Sequence, residues 1–222
     1  MTANSTGNCY LCGAALGKAA MKTHLIKAHG AAPANEGGQE CYLLKIEGAY
    51  QKEYWLFADV PVDKSLSAVD TFLREIWLEC CGHLSEFRYA PRGQTLGKAR
   101  KLKSLAPGEK FFHLYDYGTT TFSQITVMGT SRRNPQRSPV RILARNAPPD
   151  LKCEDCGKAA EYICQLFRET LTTSFYCADC AETFEEDECS MLPVTNSPRM
   201  GECGYGGELD EFAFDPTALE KS

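Results

Sequence analysis

The pattern of apolar and polar residues predicts two strands followed by one helix between residues 42 and 80. Apolar side chains occupy alternate positions in 42–47, which is the period of a strand, and the aromatic-rich stretch 54–60 predicts a second strand. From Ser65 onward, apolar residues recur every three or four positions, as they do on one face of a helix. The members of this apolar stripe are Leu66, Val69, Phe72, Leu73, Ile76, Trp77 and Cys80.

Short aromatic strands are predicted after the helix, at 84–89, 111–117 and 122–128, and the stretch 140–144 is a further candidate. The predicted order of elements is therefore β-β-α-β-β. Such an order indicates an α+β fold, with one helix packed across a small central sheet.

Twelve cysteines in 222 residues change this picture. Residues 1–8 are polar and lack the apolar stretch of a secretion signal, so we expect the protein to stay in the cytoplasm. The cytoplasm keeps thiols reduced, which favours metal binding over disulfides for cysteines that occur in pairs. We expect no membrane span, because the sequence has no stretch of about 18 apolar residues.

The first metal-binding pattern is a two-Cys, two-His zinc finger. Cys9 and Cys12 form a Cys-x2-Cys pair, and His24 and His29 follow on a predicted helix. Two thiolates from a tight turn and two imidazoles from a helix complete a tetrahedral zinc site. We therefore predict one zinc ion on these four side chains.

The second pattern is a four-cysteine module. Cys153-x2-Cys156 and Cys177-x2-Cys180 have the spacing of paired zinc knuckles, so we predict a second zinc ion on these four thiolates. Three further cysteines could form part of a third zinc site, although three packed cysteines without metal are the better expectation; they are Cys164, Cys189 and Cys203. The remaining three are expected to be ordinary core or helix-surface thiols; they are Cys41, Cys80 and Cys81.

These patterns divide the chain into five predicted parts. The small sheet with its helix is flanked by two zinc modules, and a linker rich in Ala, Gly and Pro and an acidic tail complete the chain. The parts are a zinc finger at 1–30, a linker at 31–40, the central α+β domain at 41–146, the four-cysteine module at 147–207 and the tail at 208–222.

Charge is distributed unevenly along the chain. The net charge is +3 over residues 1–30, +4 over 31–149 and −12 over 150–222. A basic front half is compatible with binding to nucleic-acid phosphates, and also with an ordinary solvated surface. The candidate phosphate contacts are Lys18, Lys22, Lys27, Arg92, Lys98, Arg100, Lys101, Lys103, Arg132, Arg133, Arg137, Arg141 and Arg145.

Base-specific recognition is not expected of the finger. Its base-reading positions fall near Gly17, Ala20 and Thr23, none of which can make the bidentate contacts of Arg or Asn. Any binding to DNA or RNA should therefore depend on the backbone rather than on the sequence.

Four short segments resemble the plasmid pRiA open-reading-frame-three family, which includes passenger proteins of insertion elements. The segments are YLLKI at 42–46, SL at 65–66, GHLSEF at 82–87 and YDYG at 115–118. The resemblance covers roughly residues 41–145 and implies an α+β fold and a plasmid or mobile-element setting. After YDYG the family has an acid followed by Trp and His, where this chain has TTTF at 119–122.

The leading interpretation is a non-enzymatic, zinc-stabilised protein that contacts nucleic-acid phosphates. One alternative is an adaptor that binds other proteins through its zinc modules. Another is a small metal-dependent hydrolase or nuclease that uses His83, Glu86, His113 and Asp116. The sequence contains no nucleophile motif or phosphate-binding glycine loop, which argues against the enzyme.

Overall fold

The computed structural model describes residues 5–29, 38–166, 173–184, 189–207 and 212–221. Most strands belong to one nine-stranded antiparallel sheet, and three form a separate small sheet. The strands of the large sheet are β1 (Thr6–Cys9), β2 (Ala15–Gly17), β3 (Gln39–Gly48), β4 (Trp55–Pro61), β5 (Ser85–Arg88), β6 (Thr95–Leu96), β7 (Lys110–Tyr115), β8 (Thr121–Arg133) and β9 (Arg141–Asn146). The small sheet contains β10 (Tyr162–Leu166), β11 (Ser174–Tyr176) and β12 (Cys189–Pro193).

The helices are short, and two of them continue into π-helical turns. Helix α1 (Lys18–His24) continues as Leu25–His29, and α2 (Leu66–Leu73) continues as Arg74–Leu78. The remaining helical pieces are α3 (Ala178–Ala181) and the 3₁₀ turns Leu102–Ser104 and Pro216–Lys221. Within the described ranges, none of the helices is long and apolar enough to cross a membrane.

The predicted fold class, a small central sheet with one packed helix, is wrong. The sheet has nine strands in the order β2-β1-β9-β4-β3-β8-β7-β5-β6 and dominates the fold. It is larger than expected because residues 141–146 form a full strand, which pairs with β4 on one side and with β1 of the finger on the other. The finger hairpin thereby extends the sheet.

Gly7 permits this extension. It pairs with Asn146 of β9, and a Cβ atom at position 7 would lie 2.1 Å from the carbonyl oxygen of Arg145. A separation this short is a steric clash, so only glycine allows β1 to approach β9 this closely.

The two faces of the large sheet are covered by different helices. Tyr42, Leu44 and Ile46 of β3 pack in a cluster with the apolar stripe of α2, including Trp77, which is fully buried. Leu43, Trp55 and Phe57 face the other way and pack against Met21 and Leu25 of the finger. The two-residue period of the strands thus buries both faces of the sheet.

The predicted linker and acidic tail are only partly described. Residues 31–37 of the predicted linker lie outside the described residues, whereas Gln39 and Glu40 already belong to β3. In the acidic tail, Phe212 packs edge-on against Phe72 of α2, and the hydroxyl of Tyr10 donates to the carbonyl oxygen of Phe212.

Candidate metal centres and basic end of the sheet

The finger residues Cys9, Cys12, His24 and His29 converge on one point. Cys12 Sγ lies 3.2 Å from His24 Nε2, and Cys9 Sγ lies 3.6 Å from His29 Nε2. All four ligand atoms lie within 4.8 Å of one another. Two thiols and two imidazoles in this arrangement could hold a metal ion.

The π-helical turn explains how two histidines five residues apart reach the same point. In a regular α-helix, residues on one face recur every three or four positions, so His24 and His29 would diverge. A π turn is closed by hydrogen bonds between residues five apart, which places His29 over His24. The two Nε2 atoms are 3.2 Å apart.

The four-cysteine module brings its predicted ligands together in the same way. Cys153, Cys156, Cys177 and Cys180 form one cluster in which all sulfur atoms lie within 4.8 Å. Gly157 adopts a left-handed conformation with φ of 71°, and its amide donates to the carbonyl oxygen of Cys153 at 2.9 Å. This tight turn is the knuckle that the Cys-x2-Cys spacing predicts.

Backbone amides prepare the Cys153 thiol to lose its proton. Burial alone would raise the pKa of Cys153. Hydrogen bonds from the backbone of Cys177, Cys156 and Asp155 outweigh this effect and lower the pKa from 9.0 to about 6. A thiol with such a pKa is largely thiolate at neutral pH, which is the form that binds metal.

A third cluster was missed by the sequence analysis. Cys80, Cys81, His83 and Cys203 also place four ligand atoms within 4.8 Å of one another. Cys80 and Cys81, expected to be ordinary thiols, therefore lie in a cluster that could hold a metal ion. The adjacent Cys-Cys-x-His motif was a local signal, but its fourth member is 120 residues from His83 in the sequence.

The remaining cysteines also differ from the expectation of three packed thiols. Cys164 and Cys189 are joined in a disulfide that links β10 to β12, with their Cα atoms 5.7 Å apart. Cys203 lies instead in the third cluster, and Cys41 is buried in the large sheet, as predicted for a core thiol.

Four of the thirteen predicted phosphate contacts form ion pairs with buried carboxylates, and a fifth, Arg145, is itself buried. Arg133 and Arg141 both form ion pairs with the buried carboxylate of Asp59, and Arg133 is only 4% exposed. The other three have partners elsewhere: Lys18 with Glu47, Lys98 with Asp70 and Arg145 with the carbonyl oxygen of Asn196. Side chains that neutralise buried acids contribute little to a phosphate-binding surface.

Exposed basic residues from both predicted loops meet at one end of the large sheet. Backbone contacts connect the two loops. Arg132 of β8 is paired with Glu40 of β3, and the Val62 amide donates to the Glu40 carbonyl oxygen at 3.0 Å. The Lys103 amide donates in turn to the Val62 carbonyl oxygen at 2.8 Å. We call this surface the basic end. Its members are Lys64, Lys101, Lys103, Arg132 and Arg137, all of them exposed or partly exposed, and Lys64 was not among the predicted contacts.

The other predicted contacts lie elsewhere or have partners. Lys22 and Lys27 are exposed on the finger helix, and Arg92 lies in the turn between β5 and β6 at the far edge of the sheet. Arg100 donates to the hydroxyl groups of Ser104 and Tyr89, and lies over the Tyr89 ring.

The four candidate catalytic residues do not form one accessible site. His113 is fully buried and lies 2.7 Å from Asp70, and burial lowers its pKa. Asp116 accepts hydrogen bonds from buried Arg199 and from Thr119, Glu86 is paired with Arg88, and His83 belongs to the third cluster. Two of the four, His83 and Asp116, are brought together, with His83 Nε2 3.6 Å from the Asp116 carboxylate.

Glu47 of β3 connects the finger to the large sheet. Glu47 is 4% exposed, and its carboxylate lies 2.8 Å from Lys18 Nζ and 2.7 Å from Lys45 Nζ. Burial alone would raise the pKa of Glu47, but these hydrogen bonds and charges outweigh it and lower the pKa from 4.5 to about 2. Glu47 therefore stabilises the folded chain in its ionised form.

We predict that Glu47→Gln lowers the free energy of unfolding by about 2 kcal/mol at pH 7, allowing for the partial exposure of the lysines. A depressed carboxyl pKa stabilises the fold above the unfolded pKa of 4.5, and this contribution is lost as the pH falls through about 2. Urea denaturation should therefore show that the stabilities of Glu47→Gln and the unaltered protein converge as the pH falls from 4.5 to about 2. The exposed neighbour Glu53→Gln should change stability by less than about 0.5 kcal/mol; an equal loss in both variants would contradict the role of Glu47.

Comparison with known proteins adds little to this picture. No family model matches the chain, and neither does any curated protein. Among solved structures it is similar to protein MM3350 from Methanosarcina mazei Go1, whose function is unknown, with 15% sequence identity and a TM-score of 0.41. The match covers 54% of this chain and 75% of that one, and it is too distant to carry an argument. The resemblance of residues 41–145 to the plasmid family stays a prediction.

Proposed function

We propose that this chain is a non-enzymatic, zinc-stabilised protein that binds nucleic-acid phosphates through the basic end of its large sheet. The observation that carries the proposal is the convergence of two sequence-distant basic loops, one at 101–103 and one at 132–137, on a single surface. A plasmid or mobile-element setting rests on the family resemblance alone.

Zinc is the metal that best fits the finger and the four-cysteine module. Thiolate and imidazole side chains are the usual ligands of structural zinc, and both clusters offer four of them, as closed tetrahedral sites do. A site with four protein ligands leaves no position for a substrate, which supports a structural role.

The composition of the basic end favours phosphate contacts without base recognition. Its five cations outnumber the neighbouring acids Glu40 and Asp63, so it keeps a net positive charge. The finger helix adds little specificity, because Ala20 and Thr23 are short, and the Thr23 hydroxyl donates to its own helix at Ala19. We therefore expect similar affinity for unrelated sequences.

The test is a salt titration of binding to a labelled DNA duplex and to a single-stranded RNA. Each neutralised phosphate releases counterions, so the logarithm of the affinity should fall linearly with the logarithm of the salt concentration. Changing Lys101, Lys103, Arg132 and Arg137 together to Ala should weaken binding to both probes. It should also make the salt slope shallower by about 0.9 for each duplex phosphate that the variant no longer neutralises.

A matched control removes two charges away from this surface. The double variant Arg92→Ala/Lys152→Ala should bind as the unaltered protein does, whereas Lys101→Ala/Lys103→Ala should already bind more weakly. Equal weakening in both double variants would show that overall charge, not the basic end, governs binding. Failure to bind either probe at 50 mM salt would reject the proposal in favour of the protein adaptor.

A further inference from the structure

The segment that follows β12 leaves the small sheet and packs against the central fold. Ser197 and Arg199 are fully buried, although both are polar. The Ser197 hydroxyl donates to the carbonyl oxygen of Trp77 at 2.6 Å, and the Tyr205 hydroxyl donates to that of Ile76 at 3.4 Å. Both carbonyls belong to the π-helical turn that continues α2, where the last backbone acceptors lack helical partners.

The third cluster lies where this segment meets the end of that helix. Cys80 and Cys81 follow the π-helical turn. The left-handed Gly82, with φ of 77°, then turns the chain so that the His83 side chain lies against the Cys81 thiol. Cys203 comes from the C-terminal segment and is itself left-handed, with φ of 54°. A non-glycine residue in this conformation is strained, and such strain persists where the surroundings hold the side chain in place.

The spacing of the ligand atoms matches that of the two sequence-predicted sites. Cys81 Sγ lies 2.9 Å from His83 Nε2, 3.4 Å from Cys203 Sγ and 3.8 Å from Cys80 Sγ. Two sulfurs on a tetrahedral zinc ion would be about 3.8 Å apart, given zinc–sulfur bonds of about 2.3 Å. Small rotations of exposed side chains are enough to reach that geometry.

A buried cation adjoins the cluster. The Arg199 guanidinium lies 4.9 Å from the centre of the Tyr115 ring and donates to Asp116 at 2.8 Å, and the Asp116 carboxylate lies 3.6 Å from His83 Nε2 of the cluster. It therefore connects the cluster to the buried polar network beneath.

We propose that Cys80, Cys81, His83 and Cys203 bind a third zinc ion, which clamps the C-terminal segment onto the end of the α2 helix. The finger and the four-cysteine module each take their ligands from one stretch of sequence, whereas this site joins residues 122 positions apart. Its role is thus to close the central fold rather than to fold a module. The proposal does not depend on phosphate binding.

Zinc content tests the site directly. The unaltered chain should contain three zinc ions, while Cys203→Ser and Cys81→Ser should each contain two; both cysteines are exposed, so these variants should fold. Cys41→Ser, a cysteine outside all three clusters, should keep three. Two zinc ions in the unaltered protein, unchanged by Cys203→Ser, would overturn the third site and leave the other two standing. A Cys81–Cys203 disulfide, identified as a cross-linked peptide pair in a non-reducing digest, would overturn it as well; the intact mass alone does not identify it, because the Cys164–Cys189 disulfide already lowers that mass by two hydrogens.

Hydrogen exchange tests the clamp. The amides of Met200, Glu202 and Tyr205 donate to carbonyls within the segment, so their exchange reports its closure. Cys203→Ser should speed their exchange by about tenfold or more, because local opening becomes easier without the metal. Cys156→Ser should leave them unchanged. Equal exchange in Cys203→Ser and the unaltered chain would show that the cluster does not hold the segment.

Discussion

Cys156→Ser should abolish zinc binding in the four-cysteine module and unfold its two ligand-bearing segments, 151–164 and 173–184, while the large sheet and the C-terminal segment 195–205 stay folded. This is the largest effect that we expect, because zinc binding to small modules is worth about 10–16 kcal/mol. Apart from the Cys164–Cys189 disulfide, these segments have little else to hold them: among residues 151–164 and 173–184, few side chains besides the cysteines are buried, Ile163 being the main apolar one.

The matched substitution in the finger should have a milder outcome. Cys12→Ser removes one ligand of the finger site, yet Met21 and Leu25 pack on Trp55 and Phe57 of the large sheet. Apolar burial should therefore retain the finger helix in part when the metal is absent. Residue-resolved hydrogen exchange should show full loss of protection around Cys153 and Cys177 in Cys156→Ser, and only partial loss in α1 for Cys12→Ser. Full protection in the Cys156→Ser module would contradict the structural role of its metal.

Trp77→Ala should lower the free energy of unfolding of the large-sheet domain by about 3–5 kcal/mol. Trp77 is fully buried between the α2 helix and the sheet, in the cluster that includes Leu44 and Ile46. Its removal leaves a cavity that the surrounding strands cannot fill, because the sheet fixes their spacing. Chemical denaturation monitored by circular dichroism would measure the decrease in stability.

The control for this substitution is Tyr50→Ala. Tyr50 is 71% exposed and touches Phe122 edge-on, so its truncation should change stability by less than about 0.5 kcal/mol. A Trp77→Ala protein as stable as Tyr50→Ala would mean that α2 does not pack against the sheet in the way described.

The secondary structure was largely predictable from the sequence, but the architecture was not. Alternation in 42–47 and the helical period from Ser65 correspond to β3 and to α2 with its π turn. Nothing local, however, shows that β1 pairs with β9, whose residues lie more than 130 positions away. The burial of β3 and β4 on both faces was not predicted either, because the finger was expected to be a separate module rather than a cover for one face of the sheet.

The metal sites show the same division between local and long-range information. Cys-x2-Cys pairs can be recognised in the sequence, because a zinc knuckle requires a fixed number of residues between its two cysteines. Cys203 comes close to Cys81 only because the C-terminal segment folds back onto the central fold. Their spacing in the sequence therefore does not predict that they are neighbours. Likewise, Arg133 was predicted to lie on the surface because its buried partner, Asp59, is distant in sequence.

The zinc content of the purified chain tests the central claim of zinc stabilisation most directly. Inductively coupled plasma mass spectrometry, with protein quantified by amino-acid analysis, should give three zinc ions per chain, one for each ligand cluster. Two ions, with the count unchanged in Cys203→Ser, would remove only the third site and leave the finger and the four-cysteine module as proposed. Fewer than two would contradict the account, because at least one of the sequence-predicted zinc sites would then be empty in the folded protein.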